Sequence, residues 1–445
     1  MQAPIADEET TVTVDEALAY ALELHQKARL DGAEELYKRI LAVLPEHPDV
    51  LHFLGVLMHQ RGRDDEAIAL IQRATELVPG HVGCHINMGN VLAESGRLDE
   101  AAAAYRHVLS LQPDQADVFN NLGVVHKLQE QWPEAETCYR RAIELNPQHV
   151  SAYNNMGLLF AAQGSIKEAV EYYCRSIAMM PGNPDSRRLL GIAYYTLGRI
   201  EEAAEVFRQW LEEAPDHPVA KHMYSACSGK DVPARAADDY IEHTFDRFAE
   251  SFDSQLQERL SYKAPEIVTE ALEKVLQAQE AQLDILDAGC GTGLCGPLLR
   301  PFARQLSGVD LSGGMLAKAE AKQCYDALEK AELTAFIAAR KDSYDAIVSA
   351  DTIVYFGPLD EVFGACHGAL RPGGLLIFTV EKGEGRITGD VGYAINPHGR
   401  YAHTRAYLRG AFERAGLIAG EMLEVALRSE GGEPVMGWVV TARKA

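Results

Sequence analysis

The stretch LDAGCGTGLCG, Leu286 to Gly296, sets an acid in front of a cluster of glycines. The run that leads into it, LDILDAG, is short and apolar, which predicts a buried β-strand. The run LCGPLLRPFARQ that follows is typical of a helix. A strand, a glycine turn and a helix in this order open a doubly wound α/β unit. By itself the cluster fits a dinucleotide site, a methyl-donor site or a bare turn.

The spacing of the glycines favours one class of site over another. Gly289, Gly291 and Gly293 follow each other at steps of two residues. A dinucleotide-binding turn has its third glycine one place later, where this chain has Leu294. The spacing therefore disfavours a dinucleotide oxidoreductase.

Further segments extend the α/β pattern. RQLSGVDLS predicts a second strand that ends on Asp310. A carboxylate there can accept hydrogen bonds from both hydroxyls of a ribose. SYDAIVSADT and LRPGGLLIFTVE predict two more strands, and GEMLEVAL with VMGWVVTARK predicts a closing β-hairpin.

These motifs together resemble the Rossmann-like, S-adenosylmethionine-dependent methyltransferases over residues 240–445. The resemblance is carried by DAGCGTG, by Asp310, by SGGMLAKA after it, by LRPGG and by the late hairpin. It implies an α/β domain with a seven-stranded mixed sheet, in which one late antiparallel strand separates the fold from dinucleotide dehydrogenases. It also implies S-adenosylmethionine as the cofactor.

The same resemblance implies which residues hold the donor. The glycines would let the backbone approach the methionine part, Asp287 would bind its amino group and Asp310 the ribose. Met315 would lie near the adenine, as would residues after a third strand that we place in KAELTAFIAA. The implied cofactor-binding residues are Asp287, Gly289, Gly291, Gly293, Asp310, Met315, Glu332 and Leu333.

Three residues are candidates for catalysis. Asp351 follows the strand SYDAIVSADT and would face donor and substrate, or would cap a helix before TIVYF. Tyr401 and His403 lie in the polar, aromatic insertion GDVGYAINPHGRYAHTRAYLRGAF, which predicts a loop over the site. Its GRYAH resembles a stretch of bacterial methyltransferases that also carry tetratricopeptide repeats. His403 could serve as a base, or the loop could be held by its own hydrogen bonds.

The front half of the chain repeats every 34 residues. Three tracks keep this step. They are Pro45, Pro79, Pro113, Pro147, Pro181 and Pro215; Gly55, Gly89, Gly123, Gly157 and Gly191; and Ala33, Ala67, Ala101, Ala135, Ala169 and Ala203. A bulky residue, mostly aromatic, follows each alanine four places on. Small residues let two helices approach, and proline ends the second of them.

This period resembles the tetratricopeptide repeat, an all-α helix–turn–helix unit that stacks into a solenoid. We place six repeats over residues 14–217. Asn87, Asn121 and Asn155 form a further track on the first helices. The track is similar to the asparagine ladder of protein O-GlcNAc transferase, which implies a protein or peptide bound on the concave face. Alternatively the asparagines solvate an exposed face or bond within the stack.

The remaining segments complete the domain organisation. Residues 1–13 form a tail, 218–239 a linker, 240–282 a helical segment that leads into the methyltransferase, and 283–445 its core. Aromatic residues at helical spacing predict an amphipathic helix in the segment 240–282. Phe245, Phe252 and Tyr262 could close over the donor.

Composition narrows the functional classes. The 445 residues carry a formal net charge of −23 and no run of Lys or Arg, which disfavours binding of bulk nucleic acid. The acidic start lacks the apolar core of a signal peptide, and no apolar run approaches the ~20 residues of a membrane span. The eight cysteines include no CxxC pair, so we expect reduced thiols in the cytoplasm and no metal site.

We therefore expect a methyltransferase whose repeats recruit a protein or peptide acceptor. Two alternatives stay open. The enzyme could act on a small molecule and use its repeats for assembly, or the chain could be a scaffold without catalysis. The sequence has no N/D-P-P-Y-type motif, which disfavours methylation of amide nitrogens or adenine N6.

Overall fold

The structure, a computed structural model, describes residues 13–249, 262–276, 282–383, 387, 391–430 and 433–445. It divides into two compact units, Met1–Ser186 and Arg187–Ala445, which are described separately. No helix in these described ranges is long and apolar enough to cross a membrane.

Twelve helices at a regular step confirm the repeats. They are α1 (Val14–Gln26), α2 (Leu30–Val43), α3 (Pro48–Gln60), α4 (Asp64–Leu77), α5 (Val82–Glu94), α6 (Leu98–Leu111), α7 (Ala116–Leu128), α8 (Trp132–Leu145), α9 (Val150–Ala162), α10 (Ile166–Met179), α11 (Pro184–Thr196) and α12 (Ile200–Glu213). Each predicted repeat contains one pair of them. The boundary between the two units falls near the start of α11.

The glycine and aromatic tracks meet inside each helix pair. A β-carbon on Gly89 would lie 2.5 Å from the ring of Tyr105, and one on Gly123 would lie 2.6 Å from the ring of Tyr139. Both tyrosines are buried. The glycine therefore gives the aromatic ring of the second helix its place against the first, as the sequence pattern predicts.

A thirteenth helix differs from the predicted linker. Residues 218–239 were expected to be a linker, but α13 (Pro218–Ser228) continues the period with Pro218 in its first turn. The side chain of His217 accepts the backbone N–H of Ala220 and caps the helix. Only the residues between α13 and α14 (Asp238–Phe248) connect the repeats to the next domain.

The second unit holds a mixed β-sheet. Its strands are β1 (Leu283–Ala288), β2 (Ala303–Asp310), β3 (Ala327–Lys330), β4 (Tyr344–Ser349), β5 (Leu370–Lys382), β6 (Tyr393–Ile395), β7 (Tyr401–His403), β8 (Leu417–Glu430) and β9 (Glu433–Lys444). Strands β3, β2, β1, β4 and β5 lie side by side and parallel. Strand β9 pairs antiparallel with both β5 and β8.

Seven of these strands form the predicted sheet with its late hairpin. The other two, β6 and β7, are only three residues long and come from the insertion before the hairpin. They pair with each other and add β7 to the end of β5. The insertion, predicted as a loop, is thus partly joined to the sheet.

The third strand is not where the sequence suggested. KAELTAFIAA was expected to contain it, but β3 ends at Lys330 and Leu333–Ala338 form a helix. The residues of β3 are mostly exposed because the strand lies at the edge of the sheet. The apolar run that follows covers one face of the core instead.

Helices cover both faces of the sheet. One cluster of buried residues includes Leu286, Phe336, Phe363 and Phe412. A second cluster forms around Val268 and Leu272 of α15 (Ala264–Leu276). The sheet lies between these two helical layers. The carboxyl ends of its parallel strands lie at one edge, and the glycine turn follows the central strand β1 there.

Candidate functional site

The glycine turn has a backbone that only glycine adopts easily. Gly289, Gly291 and Gly293 have φ angles of 79°, 53° and 82°. A β-carbon on Gly289 would collide with Thr352, and one on Gly293 would meet Ala319 and Tyr325. A β-carbon on Gly291 would meet no described atom within 4 Å. The open side of the turn is therefore at Gly291, where a ligand can approach the backbone.

Asp287 lies directly before this turn and is buried. Its Oδ2 accepts a 2.6 Å hydrogen bond from the hydroxyl of Tyr325, while its Oδ1 is buried without a partner among the described residues. Burial raises the pKa of Asp287 to about 7, although the hydrogen bond from Tyr325 opposes the shift. A buried carboxylate oxygen in this condition fits a cationic or N–H donor on a ligand.

Asp310 at the end of β2 reaches the same turn. Its Oδ2 accepts the backbone N–H of Gly291 at 2.9 Å, and its Oδ1 accepts that of Ser312 at 2.9 Å. Burial raises the pKa of Asp310, and hydrogen bonds from the backbone of Ser312, Gly291 and Leu311 oppose this shift. A carboxylate has about four lone-pair sites, so Asp310 can also accept a hydrogen bond from a ribose.

The residues present fit S-adenosylmethionine. Asp287 offers an unpaired buried oxygen for the donor's amino group, Gly291 offers room beside the backbone, and Asp310 offers an acceptor for the ribose. Three of the residues implied by the resemblance are thus brought together by β1, β2 and the turn between them.

Met315 and its helix are held by a residue that sequence reasoning missed. Met315 is buried in α17 (Gly313–Ala321), which follows α16 (Gly296–Leu299). Asp246 of α14 accepts the hydroxyl of Ser312 at 2.5 Å and the backbone N–H of Gly314 at 3.0 Å. Asp246 therefore fixes the segment before Met315. Its place in an acidic amphipathic stretch carries no signal that distinguishes it.

Glu332 and Leu333 form the start of α18 (Leu333–Ala338). The carboxylate of Glu332 accepts the backbone N–H groups of Thr334 and Ala335, at 3.0 and 2.7 Å. Leu333 is buried in the core beneath. The structure therefore gives both residues a part in the fold, and their contact with adenine stays a prediction.

Asp351 lies in a charged network at the ends of β4, β5 and β8. It has a left-handed φ of 53°. Its Oδ1 accepts the hydroxyl of Thr379 at 2.9 Å, and its Oδ2 accepts a 2.9 Å hydrogen bond from Arg428. Arg428 also pairs with Glu381. Strained backbone of this kind is typical of functional sites. The short helix after it begins without a side-chain cap, which differs from the alternative of a helix cap.

Glu381 and Arg428 are the buried partners in this network, and no motif in the sequence distinguishes them from other charged residues. Both are almost fully buried. Arg400 donates to Glu381 at 2.9 Å, and Asn396 donates to its other oxygen at 3.0 Å. His398, Arg400 and Arg428 lower the pKa of Glu381 to about 2 in spite of its burial. The insertion is thus tied by charge to the end of β5.

Tyr401 and His403 are both fully buried. The hydroxyl of Tyr401 donates to the backbone oxygen of Pro233. Nε2 of His403 donates to the backbone oxygen of Gly357 at 2.8 Å, and Nδ1 has no partner among the described atoms. Burial lowers the pKa of His403 to about 4. Both acceptors lie outside the insertion, so these contacts join it to neighbouring segments rather than to itself, and a catalytic part for either residue stays a prediction.

The connection after α13 joins the loop that follows β4. Ala236 donates to the oxygen of Tyr355 and Gly357 donates to the oxygen of Ala234, both at 2.8 Å. His222 of α13 donates to the oxygen of Gly399 at 2.8 Å. Helix α13 and the connection after it therefore contact the insertion and the loop beside Asp351 within one compact unit.

Of the aromatics expected to close over the donor, Phe245 packs against Tyr355 with ring centroids 5.7 Å apart. Burial and the charge of Asp351 raise the pKa of Tyr262. Phe252 lies outside the described residues.

The asparagine track lies in the first unit, and its amide nitrogens bond to the preceding repeat. Asn87 contacts His52 at 2.8 Å, and Asn155 donates to Asn120 at 2.9 Å. Asn121 donates to Asn90 at 3.3 Å. All three are half-buried. The track thus bonds within the stack, as one alternative expected, while part of each side chain faces solvent.

Comparison with known proteins identifies both parts of the chain. Residues 286–378 match the family described as methyltransferase domain. Residues 24–82, 89–130, 114–182 and 160–227 match families described as tetratricopeptide or TPR repeat. The chain carries tetratricopeptide repeats followed by a methyltransferase domain.

Curated proteins also align with this chain, and two of the three described here are named as methyltransferases. The biotin biosynthesis bifunctional protein BioHC of Saccharophagus degradans is 32% identical over 170 residues, which are 36% of this chain and 27% of the relative. Methyltransferase-like protein 27 of Homo sapiens is 30% identical over 151 residues, 33% of this chain and 59% of the relative. A malonyl-[acyl-carrier protein] O-methyltransferase of Enterobacter lignolyticus is 33% identical over 95 residues, 21% of this chain and 38% of the relative. The chain thus spans about a quarter to three-fifths of these relatives.

Solved structures also align with this chain. The crystal structure of PilW, a type IV pilus biogenesis factor, aligns at 18% identity and a TM-score of 0.43, over 48% of this chain and 98% of its own. The crystal structure of MamA aligns at 25% identity and a TM-score of 0.33, over 36% and 95%. The assignment of the repeats rests on their period, their helices and the family matches.

Proposed function

We propose that this chain transfers the methyl group of S-adenosylmethionine to a protein or peptide that its repeats recruit. The observation that carries the proposal is the buried Oδ1 of Asp287, which has no partner in the part of the chain that the structure describes, together with the open backbone at Gly291. An oxygen in this condition calls for a ligand with a cationic or N–H group, and the amino group of S-adenosylmethionine supplies one.

Methyl transfer mainly requires that the protein position the donor and the acceptor. When bound, S-adenosylmethionine supplies a methyl group on a sulfonium that already carries its leaving group. Asp287, Gly291 and Asp310 would hold it with its methionine part on the turn. Asp351 lies three residues beyond Val348, the strand partner of Asp287, and so would face the acceptor. Its pairing with Arg428 fixes that carboxylate in place.

The repeats would bring the acceptor. Asn87, Asn121 and Asn155 stand at equal steps on successive first helices and are half-buried. A carboxamide has two N–H donors and two oxygen lone pairs, more than the contacts within the stack use. A row of such groups suits the backbone of an extended peptide. None of the eight cysteines, all of which the structure describes, forms a disulfide, which supports a reducing, cytoplasmic setting, and the net charge of −23 disfavours a nucleic-acid acceptor.

Calorimetry tests the cofactor. We expect S-adenosylmethionine to bind to the wild-type chain and NADPH not to bind. The Asp287→Asn variant should lose most of the affinity, since its amide carries no negative charge to pair with an ammonium group. Absence of S-adenosylmethionine binding at millimolar concentration would overturn the proposal.

Transfer of a radiolabelled methyl group in a cell lysate tests the acceptor. We expect label in a protein band on a gel, and little in the solvent extract. A variant with Asn87, Asn121 and Asn155 all changed to alanine should bind S-adenosylmethionine as before but label that band at least about tenfold less. The Asp351→Asn variant should also bind S-adenosylmethionine and lose transfer.

A second candidate acceptor is a carboxyl group on an acyl chain, with the repeats used for assembly. The observation that favours it is the similarity to malonyl-[acyl-carrier protein] O-methyltransferases. Label in a supplied malonyl-acyl-carrier protein, released by mild base, would favour this candidate over a peptide. A chain that binds S-adenosylmethionine but labels nothing would be a scaffold.

A further inference from the structure

Tyr325 occupies an unusual place for a residue outside the recognised motifs. It lies between α17 and β3, yet its hydroxyl donates a 2.6 Å hydrogen bond to Oδ2 of Asp287, 38 residues earlier in the chain. The sequence motifs assign no role to this tyrosine.

Three glycines leave room for its ring. A β-carbon on Gly293 would lie 3.0 Å from the Tyr325 ring, one on Gly296 would lie 2.7 Å from it, and one on Gly308 would lie 3.1 Å from it. Gly293 and Gly296 belong to the glycine cluster, and Gly308 to β2. Any larger side chain at these positions would push the ring away from Asp287. The third glycine of the signature, Gly293, therefore leaves room for the tyrosine ring as well as for Ala319, while the open side of the turn is at Gly291.

The hydrogen bond from Tyr325 fixes the orientation of the Asp287 carboxylate. A free carboxylate rotates about its last bond, but here Oδ2 is held by Tyr325. The other oxygen, Oδ1, is left buried and without a partner among the described residues. The hydrogen bond thus decides which oxygen remains for a ligand.

We propose that Tyr325 is a positioning residue for the methyl donor, which fixes Asp287 so that Oδ1 receives the donor's ammonium group. The proposal rests on the proposed function and deepens it. Tyr325 acts through Asp287 and need not touch the donor itself.

The charges around Asp287 give the hydrogen bond a second effect. Asp310 of β2 repels its charge, and among the described residues the other titratable groups that interact with it are neutral thiols and phenols: Cys290, Cys295, Cys324, Tyr262 and Tyr325. Tyr325 is the neighbour whose hydrogen bond lowers the pKa of Asp287 against burial, which leaves it at about 7. Removal of the hydroxyl should raise this pKa, so that fewer molecules carry the charged carboxylate at neutral pH.

The test compares Tyr325→Phe with wild type in calorimetry, since phenylalanine keeps the ring in its place between the glycines. Two ligands are used: S-adenosylmethionine, and 5′-methylthioadenosine, which has the nucleoside and sulfur but lacks the amino-acid part with its ammonium group. We expect Tyr325→Phe to bind S-adenosylmethionine about tenfold more weakly at pH 7, the effect of one lost hydrogen bond to a charged group. Its affinity for 5′-methylthioadenosine should be unchanged. The loss should be larger at pH 6 than at pH 8, because at higher pH Asp287 ionises without help.

A matched control is Tyr344→Phe, which removes a hydroxyl from a buried tyrosine at the far end of β4 and should leave both affinities unchanged. Equal loss for both ligands in Tyr325→Phe would mean a general disturbance of the site and would overturn the inference. So would an unchanged affinity for S-adenosylmethionine at every pH. If wild type itself binds no S-adenosylmethionine, the proposed function fails first.

Discussion

At the scale of single residues, a substitution of His403 tests whether the insertion has a catalytic or a structural role. Its ring is fully buried and donates to Gly357. We expect His403→Ala to lower the free energy of unfolding by about 2–4 kcal/mol, since it removes a buried ring and its hydrogen bond. Methyl transfer by the folded variant should stay within about twofold of wild type, measured well below the midpoint of thermal unfolding. Loss of transfer at unchanged stability would instead make His403 the base.

The same residue makes the stability of the folded chain depend on pH in a direction that can be predicted. The pKa of His403 is about 4 in the folded chain, against ~6.5 in an unfolded one. Between these values the unfolded state binds more protons, so the contribution of His403 to stability is complete above pH ~6.5 and is lost as the pH falls towards 4. Glu381, with a pKa of about 2, stays ionised in this window and loses its contribution only at lower pH.

Urea unfolding at pH 7, 6 and 5 measures this effect. Asp287, whose pKa is raised to about 7, acts in the opposite direction, because the folded state binds its proton first. Wild type and His403→Ala share Asp287, so the difference between them isolates the histidine. We expect the stability gap between the two chains to narrow as the pH falls. A gap that is constant from pH 7 to 5 would contradict the burial of a neutral imidazole.

Single residues also show which parts of the site can be predicted from the sequence and which cannot. Asp287, Gly291 and Asp310 could be found because a strand, a turn and the next strand place them by local rules. Arg428 could not, since its partners Asp351 and Glu381 lie 77 and 47 residues away. Tyr325 could not either, because its role depends on space left by glycines in two other elements.

At the scale of elements, the helix pairs of the repeats are determined by contact between a glycine and an aromatic ring. Gly123→Ala improves helix propensity by up to ~1 kcal/mol, yet its new methyl group would lie 2.6 Å from the ring of Tyr139. We expect a net loss of about 1–3 kcal/mol from this overpacking. Denaturation followed by circular dichroism measures it.

A helical glycine with space around it is the control. Gly364 lies in α19 (Asp360–Ala369), and a β-carbon there would meet no described atom within 4 Å. Gly364→Ala should therefore be neutral or slightly stabilising. If both substitutions had the same effect, the glycine track would reflect something other than packing.

Elements differ in how far the sequence predicts them, and exposure explains why. The helices of the repeats follow from a period that recurs six times. Strand β3 has only four residues, which are mostly exposed at the sheet edge, so no alternation of apolar residues identifies it. The apolar LTAFIA next to it resembles a buried strand, but its Glu332 caps a helix. Strands β6 and β7 exist only through their pairing with each other and with β5.

At the scale of the whole molecule, the last repeat belongs to the same compact unit as the methyltransferase domain. Phe207, Trp210 and Met223 share a buried cluster with Ala236 and Tyr240, and Tyr355 packs against it. We therefore expect a fragment of residues 184–445 to unfold at the same temperature as the methyltransferase unit of the full chain. A fragment of residues 240–445 lacks this cluster and the hydrogen bonds of the connection to Tyr355 and Gly357. It should unfold at least about 5 °C lower and bind S-adenosylmethionine more weakly.

A longer fragment, residues 150–445, separates this effect from chain length. It adds one more repeat, which lies in the other compact unit, and should match residues 184–445 in the unfolding temperature of the methyltransferase unit. If stability rose steadily with each added repeat, the last repeat would have no special part.

If residues 240–445 were as stable as the longer fragments, the hydrogen bonds from Ala236 and from Gly357 would contribute nothing measurable, and the loop after β4 would hold its shape alone. A drop confined to the removal of residues 184–239 would mean that the end of the repeats supports the loop beside Asp351.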